Sequence, residues 1–327
     1  MTMMKYFKII FIFLLGLFWG LPLQALEITQ PLVDTGWLAK NKNSIVILDI
    51  RKDVKSFASK PVFKKDKKSG KSKLIKVAGH IPGSVLVDYK KIRGAKTING
   101  RKVIKMILGK KAFEKLMQVS GVNKNSAVVI VSRGMDNGDM TMATRLYWTM
   151  KYYGHDNMAI LNGGVAQWLK DKHKVTNKAV KIKKGNWLAT AERNKILATS
   201  EEVATAIKDK AQLVDTRMIS LYLGTWRKKS YVFANGHIPG AKSYPNELLT
   251  STMPAKFISN ADSKAMFLQL GINPDEKAIT YCNSGHLATG SWFVLSELMG
   301  NKNVKLYDGS MHQWTLEKRD VVKLKME

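Results

Sequence analysis

The segment Gly79-His-Ile-Pro-Gly83 returns unchanged as Gly236-His-Ile-Pro-Gly240, and other landmarks repeat around it in the same order. An apolar run ending in Asp-x-Arg precedes each copy: Ile45-Val-Ile-Leu-Asp-Ile-Arg51 and Gln212-Leu-Val-Asp-Thr-Arg217. The runs Ala127-Val-Val-Ile-Val131 and Ala278-Ile-Thr-Tyr281 follow, each leading into a glycine-containing loop. Ile160-Leu-Asn-Gly-Gly-Val-Ala-Gln-Trp168 and Leu306-Tyr-Asp-Gly-Ser-Met-His-Gln-Trp314 close the two copies. Asp49 and Asp215, Gly79 and Gly236, Ser132 and Cys282, and Trp168 and Trp314 lie 166, 157, 150 and 146 residues apart. A period of that size is a whole domain, so the chain is a tandem duplication and not a solenoid. The shrinking offset puts longer insertions in the first copy.

Within each copy short apolar runs alternate with helical patterns. The runs at 45–50, 127–131, 213–214 and 278–281 are almost wholly apolar, as strands covered on both faces are. Residues 116–119, 144–151 and 291–299 read as helices. The alternation predicts an α/β fold, each copy a mainly parallel sheet flanked by helices. The expected units are residues 26–172, a polar linker at 173–195, and residues 196–327. Residues 52–76 hold ten lysines and, with the shorter Trp226-Arg-Lys-Lys229 at the same point of the second copy, read as basic surface loops.

Residues 1–25 have the layout of a cleaved secretory signal: Lys5 and Lys8, an uncharged run over 9–23, then Gln24-Ala25. A retained anchor is the alternative, but the run is short for a span and is broken by Gly16, Gly20 and Pro22. The expected location is therefore periplasmic or secreted. The net charge is +29. Outside the cytoplasm such a charge points away from nucleic acid and toward small anionic substrates or an anionic envelope surface, or it is simply a solvated basic surface. Cys282 is the only cysteine. No internal disulfide and no zinc site built on paired cysteines can form.

That cysteine follows the strand 278–281 and precedes a helical stretch, so it sits at the carboxyl end of a parallel strand, where open α/β sheets bind ligands. The loop Asn283-Ser284-Gly285 can turn its N–H groups inward, and the helix N-terminus adds positive potential. Both favour a thiolate or a persulfide anion. A buried structural cysteine is the alternative. The other copy has Ser132 at the matching place, so one copy carries a nucleophile and the other does not.

In these marks the chain resembles the tandem rhodanese-type sulfurtransferases, the family of thiosulfate and 3-mercaptopyruvate sulfurtransferases. They are the Asp-x-Arg strand ends, both Gly-His-Ile-Pro-Gly segments, the Asn-Gly-Gly and Asp-Gly-Ser endings with their Trp, and Cys282-Asn-Ser-Gly-His-Leu287. The resemblance implies an inactive first domain and a catalytic second one. Cys282 would take a sulfane sulfur from a small anionic donor and pass it to a thiol or cyanide. No metal and no organic cofactor is implied. Asn283, Ser284, Gly285, His286 and Leu287 would hold the sulfur, with Arg217 and Arg227 as candidates for the donor's charge. The related phosphatases have an arginine six residues after the cysteine; here that place is Ala288, which disfavours phosphate chemistry.

The loop fits neither the basic thiosulfate-type loop nor the small loop of the mercaptopyruvate type, and Leu221 stands where both types place an anion-binding arginine. His286 either polarises a donor or faces solvent at a helix start. His80 and His237 read as structural turn residues, and Trp314 as core. Asp49 with Arg51, and Asp215 with Arg217, read as strand-end ion pairs. Two other functions remain open on sequence grounds: a rhodanese-fold binding protein without turnover, and a persulfide carrier serving a partner protein.

Overall fold

The computed structural model describes residues 26–325 apart from Ser69 and Lys71. The expected signal at residues 1–25 lies outside the described residues. The first copy contains β1 (Leu32–Val33), β2 (Val46–Arg51), a hairpin of β3 (Val62–Lys65) and β4 (Ser72–Lys76), β5 (Val85–Asp88), a second hairpin of β6 (Arg93–Ile98) and β7 (Arg101–Ile107), β8 (Val128–Val131) and β9 (Met158–Leu161). The second contains β10 (Leu197–Ala198), β11 (Gln212–Asp215), β12 (Lys242–Ser243), β13 (Ala278–Tyr281) and β14 (Val304–Tyr307). Each copy builds one five-stranded sheet, ordered β1-β9-β8-β2-β5 and β10-β14-β13-β11-β12. Every pairing in both is parallel. The repeated motifs therefore mark a repeated topology, and the α/β reading holds.

β8 and β13 are the central strands, buried at every residue. Side chains alternate between sheet faces. Leu48 and Ile130 of the first sheet, and Val214 and Leu306 of the second, enter one apolar cluster common to both copies. Their chain neighbours Ile47 and Val129, and Leu213 and Tyr307, enter a separate cluster on each outer face. The shared cluster is closed by the helices that follow β8 and β13, Asn137–Tyr152 and Ala288–Phe293. Thr144 Oγ1 lies 2.8 Å from Thr289 Oγ1 across this contact. Gly290 makes it close: a Cβ there would stand 2.6 Å from Leu249 and 2.8 Å from Thr141.

Asn137–Tyr152 begins earlier than the sequence pattern suggested. Asp136 caps it, accepting from the Asp139 N–H at 2.8 Å. Its first turns face the other copy with Thr, Met and Ala, which blurs the apolar period. The stretch expected as one helix at 291–299 is α-helical to Phe293 and then forms a π turn, Val294–Leu298.

Residues 52–76 are not a plain loop. After a short 3₁₀ turn, Val54–Ala58, they form the exposed hairpin β3–β4, whose lysines hid the strand pattern. Residues 171–193 contain no helix or ladder strand, yet they are strapped to the first copy. Thr176 exchanges two backbone hydrogen bonds of 2.8 Å with His80, and Gly185 and Trp187 bond Gln118 and Val122. The Trp187 indole is buried against Phe113 and donates to His155 Nδ1 at 3.2 Å. No helix among the described residues is long and apolar enough to cross a membrane.

Candidate active site

Cys282 lies at the carboxyl end of the central strand of the second sheet, 2% exposed. The Ser310 hydroxyl shapes the loop after it: Oγ accepts from the N–H groups of Cys282 at 3.1 Å and Gly285 at 3.0 Å, and donates to the Tyr307 carbonyl at 2.8 Å. Gly285 has φ +64°, and a side chain there would collide with Asp308 and Arg145. The N–H groups of Asn283, Ser284, His286 and Leu287 find no acceptor among the described residues. Four amides of this turn are thus left without an internal partner, as the turns that bind anions leave theirs.

The matching loop of the first copy is held in the same way. Val165 and Ala166 N–H bond the carbonyls of Ser132 and Arg133, as Met311 and His312 N–H bond those of Cys282 and Asn283. But Ser132 is fully buried and its hydroxyl donates to Met140 Sδ at 3.4 Å. The two copies share the scaffold and differ in the chemical group.

Arg145, from the first copy's helix, holds the second copy's loop. Its Nη1 donates to Asp308 Oδ1 at 2.5 Å and to the Gly285 carbonyl at 2.8 Å, with both side chains fully buried. Asp308 Oδ2 accepts from Ile107 N–H of β7 at 2.6 Å. His312 makes a second tie to the same hairpin. Its Nδ1 lies 2.7 Å from the Tyr231 carbonyl, and its Nε2 accepts from Ile104 N–H at 3.1 Å. This pattern requires the neutral ring with its proton on Nδ1. Burial, countered in part by the Tyr231 bond, and the nearby Lys105 charge hold the His312 pKa below 6.5.

His286 is half-buried in the cleft between the copies. Its ring packs on Tyr89 with centroids 4.7 Å apart, and Nε2 lies 3.2 Å from Thr141 Oγ1. Burial first, then the charges of Arg93 and Arg145, push its pKa well below 6.5. It stands in the cleft as a neutral imidazole.

Cys282 opens into a pocket of about 190 Å³ that Asn283, Ser284, His286 and Leu287 also line. Gly285 turns behind it. Leu221 and Met218 form an apolar wall where an arginine was expected. Lys228, Lys229 and Tyr231 complete the pocket and also border a larger chamber of about 530 Å³ between the copies. Arg217 is not in either space. It is buried, with Nε and Nη2 on the Asp215 carboxylate and Nη2 also donating to the Gly236 carbonyl at 2.7 Å. Arg51 repeats this arrangement with Asp49 and Gly79. Arg217 is thus a strand-end brace and not a substrate ligand. Arg227 is exposed and lines neither space; its neighbours Lys228 and Lys229 do. His80 and His237 each stack on an aromatic ring, Phe57 and Tyr222, and bond its carbonyl. Trp314 is buried in the outer cluster of the second copy.

Sequence patterns did not identify Arg145, Asp308, Ser310, Tyr231, Arg93 or Lys105 as site residues. One signal was present for Arg145, a cation in the middle of a helix otherwise rich in apolar and small residues.

The rhodanese-like domain profile matches residues 34–171 and again 199–317. The chain belongs to the rhodanese-like family. A rhodanese-like relative from Mycobacterium leprae, named "Putative thiosulfate sulfurtransferase SseA", is 32% identical over 253 residues, covering 75% of this chain and 80% of its own. The "Sulfur carrier protein TtuD" of Thermus thermophilus is 28% identical over 247 residues, covering 72% and 82%. The crystal structure of SseA from Escherichia coli, described as a 3-mercaptopyruvate sulfotransferase, has a TM-score of 0.67 at 24% identity and covers 86% of this chain and 99% of that one. That likeness shows a common rhodanese fold.

Proposed function

We propose that this protein is a sulfurtransferase that moves a sulfane sulfur from an anionic donor to a thiol or cyanide through a persulfide on Cys282. One observation carries the reading. The only thiol of the chain begins a loop in which four amides find no acceptor among the described residues, and it lines a pocket together with Lys228 and Lys229. The relatives named for thiosulfate sulfur transfer support it.

With thiosulfate, the Cys282 thiolate attacks the outer sulfur. A Cys282 S–S bond forms, the donor S–S bond breaks, and its electron pair leaves on sulfite. An acceptor thiolate or cyanide then attacks the outer sulfur of the persulfide, and the thiolate of Cys282 departs with the bonding pair. Negative charge sits near the loop in both steps, and preorganised N–H groups stabilise such charge without reorganising. Lys228 and Lys229 border the thiol pocket and are placed to hold the donor's anionic end. His286, neutral, can exchange hydrogen bonds there without adding charge. No step needs a metal or an organic cofactor.

The test is the intact mass of the protein after exposure to thiosulfate and, separately, to 3-mercaptopyruvate. A gain of one sulfur, removed again by cyanide, is expected with at least one donor. No gain with either would overturn the reading. The proposal includes export: protein recovered from the periplasm should begin near Leu26, whereas Met1 on membrane-bound protein would favour an anchor. Once exported, its basic surface would meet an anionic envelope.

A further inference from the structure

The chamber outside the thiol pocket is larger and more cationic than an inorganic donor needs. Its volume is about 530 Å³, against about 190 Å³ for the thiol pocket, and the two share Tyr231, Ser284 and His286. A space of that size takes an organic ligand of many heavy atoms; thiosulfate has only a handful. Seven cations line it; Arg133 pairs with Asp139 and Asp53, and the other six, Lys52, Lys90, Arg93, Lys105, Lys228 and Lys229, form no ion pair among the described residues. Its two carboxylates are engaged: Asp139 with Arg133 at 3.1 Å, and Asp136 as a helix cap.

Two of these cations are built into the hairpin β6–β7. Arg93 lies over the Tyr89 ring at 4.4 Å, and its Nε is buried with no hydrogen-bond partner. Lys105 is an inserted residue. The ladder pairs Gly94 with Met106 and Ala95 with Ile104, which leaves Lys105 as a bulge with φ +64°. A left-handed lysine is strained, and bulges re-aim side chains beside functional sites. The bulge puts Lys105 Nζ over the Tyr231 ring at 3.8 Å. Bonds on both sides of it, from Ile104 N–H to His312 and from Ile107 N–H to Asp308, fix the hairpin to the second copy.

We propose that Arg93 and Lys105 form an anion subsite for the remote carboxylates of an organic persulfide or thiol whose sulfur enters the Cys282 pocket. This rests on the sulfurtransferase reading for its chemistry. A donor R–S–SH would be attacked at its outer sulfur by the Cys282 thiolate; R–S⁻ leaves with the bonding pair, and the proton stays on the transferred sulfur. Thiosulfate carries its charge next to the transferred sulfur and does not reach the subsite. A thiol with carboxylates several bonds away does.

The probes are glutathione persulfide, with two carboxylates, and thiosulfate, compared in the second-order rate of Cys282 loading. The double variant Arg93→Gln/Lys105→Gln should lower loading by glutathione persulfide about tenfold or more, the loss of charge-assisted contacts. Thiosulfate loading should fall less than about threefold, a general field effect. Arg93→Lys, which keeps the charge, should recover part of the loss. Equal losses for both donors, or no loss for either, would overturn the subsite. A binding measurement separates this from failure of the transfer reading. Cys282→Ser protein should bind the unreactive S-methylglutathione by calorimetry, and the two Gln substitutions should remove that binding. Absence of saturable binding, or binding unchanged by the substitutions, overturns the subsite even where transfer is confirmed.

Discussion

Arg145 shows how one side chain ties the two copies to one site. Its guanidinium joins the first copy's helix to the Gly285 carbonyl and the Asp308 carboxylate of the second, all out of water. Removing one member of a buried pair leaves the other charged and uncompensated. Arg145→Met should therefore destabilise the fold by about 3–5 kcal/mol, read by urea unfolding. Adding Asp308→Asn should restore part of that loss, since the two effects are coupled. A cost below about 1 kcal/mol would mean that the pair does not hold the loop. Cys282 is the opposite case. Ser132 occupies the same scaffold position in the first copy, so the fold accepts a hydroxyl there. Cys282→Ser should abolish sulfur gain and leave the melting temperature within about 2 °C, about the shift that 1 kcal/mol brings in a chain of this size. Residual transfer in the folded variant would remove Cys282 from the chemistry.

The hairpin β6–β7 is the element that sequence periodicity concealed. Gly94, Lys96 and Lys102 weaken its apolar alternation, and the Lys105 bulge breaks the register. The sheets were legible because β8 and β13 are short, wholly apolar and flanked by repeated landmarks. The cysteine loop was legible because one residue type differed between copies. Arg93 and Lys105 were not, because their roles arise when a surface hairpin of one copy meets the active loop of the other, a relation with no period. The basic segment at 52–76 misled in the other direction, since its lysines suggested a loop where strands pair. The hairpin's dock also titrates. His312 is held neutral, with its folded pKa below the unfolded 6.5. The unfolded chain then binds more protons as pH falls through 6.5, so stability falls from that point down to the folded pKa and is unaffected above it. His286 adds to the same window. His312→Gln, compared with the parent by urea midpoint between pH 7.5 and 5, should show a shallower decline. Parallel declines would mean that the ring does not lock the hairpin.

At the scale of the whole molecule, the two copies are joined by one apolar cluster. Leu48, Ile130 and Trp148 share a core with Leu249, Trp292 and Phe293. Cutting the chain between copies would expose that core, so the full protein should unfold in a single calorimetric transition, and residues 196–325 alone should show none. Two resolved transitions would contradict a shared core. The cation-lined cleft also sets which reagents reach the thiol. Toward an ordinary exposed cysteine, neutral iodoacetamide outruns anionic iodoacetate. Here the only thiol lies at the end of a passage edged by Lys228 and Lys229, with Lys52, Lys90, Arg93 and Lys105 further out. The field should draw the anion in and reverse that order at low ionic strength, with the usual order returning as salt is raised. The same preference bears on oxidative damage: uncharged hydrogen peroxide gains nothing from the passage, so anionic substrates would reach and occupy the sulfur ahead of it.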